Sequence, residues 1–131
     1  MLKTYIIINT QVEGLHNWPA CDIKEVEFLK FPHRHIFHIC AKKEVDHHDR
    51  DIEIIRLKRE ITSFINNKYG IGHQHAEGCD FGSKSCEMLA TELVNKFDLD
   101  YCSVLEDGEN GAEVHNIRIF NKPLQTLINQ H

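Results

Sequence analysis

The chain has 131 residues, the length of one domain with a single core. Hydrophobic residues make up 41% and charged residues 27%, which excludes a disordered or collagen-like chain. Fifteen Lys and Arg against twenty Asp and Glu leave a net charge of −5. Nonspecific nucleic-acid and anionic-membrane binders need a basic field, so neither partner is expected.

No apolar run approaches the roughly 18 residues that span a bilayer. The start, Met1 to Ile8, has one Lys and a short apolar stretch and reads as a strand, not as a signal peptide. Residues 3–12 are rich in β-branched side chains and continue that strand. Gly14 to Lys30 mixes Asn17, Pro19 and Asp22 with Trp18 and Val26 and reads as a long ordered loop. Trp18 and Pro19 suit either a ring-stacking wall or, by default, core or interface packing.

Residues 31–42 alternate as a second strand. Phe31, His33, His35, Phe37 and Ile39 share one face; Arg34, Ile36, His38 and Cys40 share the other. Asp49 is the expected N-cap of a helix whose stripe is Ile54, Leu57, Ile61, Phe64 and Ile65 and which stops at Gly70. A connection rich in His and Gly follows over 71–83. Ser85 opens a second helix with the stripe Cys86, Leu89, Ala90, Leu93, Val94 and Phe97. Tyr101 to Leu105 is a short strand, Asp107-Gly108 and Asn110-Gly111 are turns, and Ala112 to Phe120 returns as the last strand. The order ββααββ predicts one α+β domain over 1–131 with an antiparallel sheet.

Five Cys, at 21, 40, 79, 86 and 102, include no CxxC pair, which points to reduced, mostly buried thiols in a cytoplasmic protein. Ten His are more than ordinary usage supplies. His33 and His35 leave one face of a strand together, a half-site for zinc. His16 follows the first strand and reaches the same face if the two strands pair antiparallel. Three His with an open fourth position form the catalytic type of zinc site. His38 points the other way, and His47 and His48 fall in a polar turn.

This combination of residues resembles the 6-pyruvoyl-tetrahydropterin synthase and 6-carboxy-tetrahydropterin synthase family. It comprises His16 after the first strand, His33-Arg34-His35 on the second, Asp51 to Lys58 leading into a helix, Ser85-Cys86-Glu87 opening the next, and Glu106 ending the third strand. The resemblance spans about residues 4–120. It implies the T-fold, a four-stranded antiparallel sheet with two helices on one face, closed by a homo-oligomer, typically a hexamer, into a barrel. It implies Zn2+ on His16, His33 and His35, and Ser85, Glu87 and Glu106 as substrate-binding residues. An ionised Glu106 would accept parallel hydrogen bonds from the 2-amino group and N3–H of a pterin or purine-like ring.

The family's catalytic Cys stands four or six residues before the HxH motif, where this chain has Leu29 and Glu27. A branch of the family carries Glu there, so Glu27 is the candidate base, with a solvated loop carboxylate as the alternative. The family's Asp-His pair falls at His73, with His75 as substitute, but Gly72 replaces the Asp.

The expected activity is a zinc-dependent lyase acting on a pterin such as dihydroneopterin triphosphate. The product would be a tetrahydropterin, a 7-deazaguanine precursor of queuosine biosynthesis, or a hydroxymethyl-dihydropterin. The alternative is a catalytically altered T-fold protein that binds zinc and a purine- or pterin-like ligand in a binding or regulatory role. A purely structural domain with incidental His is the third reading.

Overall fold

The computed structural model describes residues 1–119 and 122–123. Two 13-residue strands, β1 (Thr4–His16) and β2 (His33–Val45), pair antiparallel along their whole length, from Thr4 opposite Val45 to His16 opposite His33. Helix α1 (Ile54–Tyr69) follows, then β3 (Cys79–Asp80), α2 (Cys86–Phe97), β4 (Tyr101–Glu106) and β5 (Asn110–His115). A separate short pair, β6 (Arg118–Ile119) and β7 (Lys122–Pro123), ends the described chain. The expected last strand over 112–120 is instead β5 and β6 with a break at residues 116 and 117. Phe120 and the end of the expected domain, 124–131, lie outside the described residues.

The sheet order is β3-β1-β2-β4-β5. Its four longer strands are antiparallel, as expected. The sheet is five-stranded and mixed, however, because β3 pairs parallel with the end of β1. Two residues carry too little pattern to read as a strand. The first strand runs past its expected end at residue 12 to His16, and the second is shifted from 31–42 to 33–45, which leaves Phe31 outside it and exposed. Once β1 and β2 pair, polar Glu13 and Lys43 complete the ladder at little cost, since their backbone groups are satisfied by the neighbouring strand.

Alternation puts Ile8 of β1, Phe37, Ile39 and Ala41 of β2, and Cys102 and Val104 of β4 on one face, all buried. Leu57, Ile61 and Ile65 of α1 and Leu89, Ala90, Leu93 and Val94 of α2 join them in one apolar cluster. Both helices therefore lie on the same face. The stripes match those read from 3.6-residue spacing, except that Ile54, in the first turn of α1, is exposed and Phe64 and Phe97 are only partly buried.

The cap of α1 is Glu53 and not Asp49. Glu53 is extended, and its carboxylate accepts the Ile55 and Arg56 N–H groups at 3.1 and 2.7 Å. Asp49 pairs with Arg50 instead. The bonds from Arg56 and then Ile55 hold the Glu53 carboxyl below the usual range. A depressed folded value stabilises the helix above the unfolded carboxylate range, and that contribution disappears as pH falls through the folded value. Thermal melts should accordingly show a smaller acid-side loss of stability in Glu53→Gln than in the wild type. Equal losses between pH 7 and pH 3 would remove this cap from the account.

Two glycines are required by close approach. A Cβ on Gly14 would press on the Phe81 ring and lie 3.1 Å from Phe37 Cε2. One on Gly70, the expected helix stop, would strike His75 Nδ1 and the Asn66 carbonyl oxygen. No helix among the described residues is long and apolar enough to cross a membrane.

Candidate metal centre and its pocket

The ladder itself assembles the histidines. His16 is the register partner of His33, and Gly14 is the partner of His35. Partners in an antiparallel pair share a face, so all three imidazoles crowd the inner side at one end of the β1–β2 ribbon. Ring centroids lie 4.5 Å apart for His16 and His33, 5.5 Å for His16 and His35, and 5.1 Å for His33 and His35. One ring nitrogen from each lies within 4.8 Å of the other two. Tetrahedral zinc holds its nitrogens about 3.4 Å apart, as bonds of about 2.0–2.1 Å require, so the cluster is of the right scale. The edge of Phe37 forms its floor, 5.1 Å from His16 and 5.8 Å from His35.

Each imidazole commits the same nitrogen to an oxygen. His16 Nδ1 meets the Lys84 carbonyl at 3.0 Å, His33 Nδ1 the Phe31 carbonyl at 2.9 Å, and His35 Nδ1 an Asp107 carboxylate oxygen at 2.7 Å. These oxygens only accept, so every Nδ1 carries the hydrogen and donates it. Nε2 is then the nitrogen of each ring that remains for a metal.

His16 is only 8% exposed, and its Nε2 makes no hydrogen bond among the described residues. Glu106 Oε1 lies 3.0 Å from that nitrogen but off hydrogen-bond alignment, and Oε2 lies 3.4 Å from His35 Nε2. A buried, unpartnered lone pair costs free energy unless something fills it, and a cation does. The donor set could therefore hold a metal ion.

Loop geometry builds the pocket beside the cluster. The Phe81 N–H bonds the Leu15 carbonyl at 2.8 Å and the Asn17 N–H bonds the Gly82 carbonyl at 2.9 Å. These two bonds carry Lys84 and the start of α2 past the end of β1. Trp18 and Leu29 close the 17–30 loop with an N–H to carbonyl bond of 2.6 Å. That loop ends in a 3-10 helix (Lys24–Lys30) and buries Cys21, so the expected long ordered loop is partly helical. The result is a pocket of about 490 Å3. His16 and His33 stand at its base, Trp18, Leu29 and Met88 supply apolar wall, and Ser85, Glu87 and Glu106 supply polar groups. Trp18 is thus partly exposed wall rather than core. Two larger hollows, of about 580 and 810 Å3, carry no metal-competent cluster among the described residues.

No protein-family model matches this chain, and no curated protein matches it significantly. What it does must therefore be argued from the site. The structure brings together six of the nine residues singled out from the sequence: His16, His33, His35, Ser85, Glu87 and Glu106. Ser85 is the N-cap of α2, its hydroxyl accepting the Met88 N–H at 3.2 Å. Glu87 is exposed in the first helical turn.

Glu27, His73 and His75 are exposed and do not line this pocket. Leu29, two residues on from Glu27 in the 3-10 helix, lines the pocket instead. His73 and His75 sit on a short 3-10 turn (His73–His75) that the Ile71 and Gly78 hydrogen bond folds back on the end of α1. Sequence reading missed Asp107, taken as turn chemistry. Its signal was an acid directly after the strand-ending Glu106, since a histidine that holds a metal needs an oxygen on Nδ1.

The pocket also holds a thiol. Cys86 is buried on the inner stripe of α2, as expected, but its Sγ also lies 3.8 Å from Glu106 Oε1. Burial, and then the charges of Glu106 and Glu87, push this thiol up to about 12. At pH 8 only about one molecule in ten thousand would carry the reactive thiolate. Iodoacetamide at pH 8, followed by peptide mass spectrometry, should leave Cys86 unlabelled in folded protein. Rapid labelling there would contradict the buried, protonated thiol.

Proposed function

We propose that the chain is a zinc-dependent, lyase-type enzyme acting on a pterin such as dihydroneopterin triphosphate, built as a divergent T-fold subunit of the 6-pyruvoyl and 6-carboxy tetrahydropterin synthase kind. The observation that carries this reading is the set of three imidazoles, each with Nδ1 given to an oxygen and Nε2 remaining for a metal. An incidental group of histidines has no reason to share one Nδ1 partner type beside a pocket that two of them line. His16, His33 and His35 would hold the metal. Bound zinc supplies Lewis-acid polarisation of side-chain hydroxyls.

The residues of the chain do the rest. Glu106 accepts hydrogen bonds from the ring edge of the substrate and fixes its orientation. Trp18, Leu29 and Met88 exclude water from the apolar ring faces. The edge strand β5, and the exposed Tyr5, Ile7 and Ile36 on the face away from the helices, suit a homo-oligomeric barrel. In such a barrel Glu27, His73 and His75 would move protons in the pocket of a neighbouring subunit.

One observation favours a second reading. Within one chain no expected proton-moving residue lines the pocket, so a T-fold protein that binds zinc and a purine- or pterin-like ligand without turnover is the alternative. Elemental analysis followed by incubation with dihydroneopterin triphosphate and mass spectrometry separates them. Zinc with a new pterin product supports the enzyme. Zinc and ligand binding without product supports the binding protein. A protein that takes up no zinc sinks both.

A further inference from the structure

We propose that Asp107 is the positioning residue of this metal centre, locking His35 in the tautomer that turns Nε2 toward the metal. The inference rests on the zinc reading above and adds a residue that reading does not use. An Asp in a tight turn ordinarily bonds its own backbone a residue or two onward. Asp107 does not. Its Oδ1 accepts the Ile36 N–H at 2.9 Å and its Oδ2 accepts the His35 Nδ1–H at 2.7 Å, while its own N–H donates to the Ile36 carbonyl at 2.7 Å. Both carboxylate oxygens and the backbone are thus spent on two consecutive residues of β2.

The backbone makes this possible. The ladder between β2 and β4 ends where Phe37 faces Glu106. Asp107 then takes φ of 57° and Gly108 φ of 73°, which swings the chain back over β2. Asp tolerates the left-handed region better than most residues with a side chain. Consecutive carboxylates therefore meet opposite edges of one ring, Asp107 at Nδ1 and Glu106 near Nε2. The turn that orients the metal ligand is also the turn that carries the ring-binding Glu106, so a shift of one displaces the other.

The test uses the full chain with Asp107→Asn and Asp107→Ala. Zinc affinity is read by competition with a chromogenic chelator, and the His35 tautomer by 15N NMR of the metal-free protein. Loss of such an outer partner typically weakens metal binding about 10–100-fold. Asp107→Ala should show that loss and a His35 ring no longer held as Nδ1–H. Asp107→Asn keeps one acceptor and the size of the side chain, and should fall between Ala and wild type. A role confined to turn stability would lower the melting temperature in chelator and leave both readouts unmoved in the folded variants, and that result overturns the proposal. Wild-type protein without zinc overturns the metal reading and this proposal together. Zinc-loaded wild type with unaffected variants overturns the proposal alone.

Discussion

Replacing His33 by Ala is expected to take bound zinc from about one per chain to near zero, because two remaining imidazoles do not make an open three-nitrogen site. His33 is the informative position among the three histidines. His16 is 8% exposed, and its Nδ1 ties the start of α2 to β1 through the Lys84 carbonyl, so its removal damages the fold as well. His33 is half-buried at the first residue of β2 and bonds only the Phe31 carbonyl two residues before it. Its loss should change stability in chelator by less than about 0.5 kcal/mol, the usual range for substitutions outside the core. Zinc retained at the wild-type ratio in His33→Ala would mean that the metal binds elsewhere. Loss of zinc with loss of turnover, in protein that still melts cooperatively, would tie the chemistry to this cluster.

Phe37→Ala is expected to have the largest effect on stability, about 3–5 kcal/mol by the usual cost of emptying a buried aromatic site. Small domains have roughly 5–15 kcal/mol in total, so the variant would be partly unfolded at modest urea. Phe37 is fully buried, its ring 5.0 Å from Phe81 and within edge contact of His16 and His35. It belongs both to the core and to the floor of the metal centre. Urea denaturation with and without zinc separates these roles. A midpoint that recovers when zinc is added would show that the cluster still assembles once the fold is supported. A loss below about 1 kcal/mol would show that the ring is poorly packed and that Phe81 closes over the space.

How much of the site was legible depends on how local its parts are. His33 and His35 lie two apart on a strand, and a period of two is a property of the residues themselves, so their shared face was readable. His16 was readable only on the assumption that β1 and β2 pair, which the ladder from Thr4 to Val45 supports. The stripes Leu57, Ile61, Ile65 and Cys86, Leu89, Leu93 follow from 3.6-residue spacing in the same way. Asp107 was hidden because turn residues and carboxylate partners of histidines use the same amino acids. Only its left-handed φ, and the strand it folds back on, distinguish the two. The Lys84 carbonyl that orients His16 could not be found at all, since a backbone oxygen has no residue type.

The same division holds for the whole molecule. The alternation and helical stripes of the chain set its α+β class, the inner face of each strand and the chemistry available there, because these depend on spacings of two to four residues. Which residues meet was decided by tertiary structure. The β1–β2 register set His16 beside His33, the parallel pairing of β3 set Lys84 over His16, and the closed 17–30 loop put Leu29 rather than Glu27 at the pocket. Each of those contacts joins groups 11 or more residues apart in the chain. Their geometry comes from hydrogen-bond satisfaction and packing over the whole core, and no local pattern encodes it.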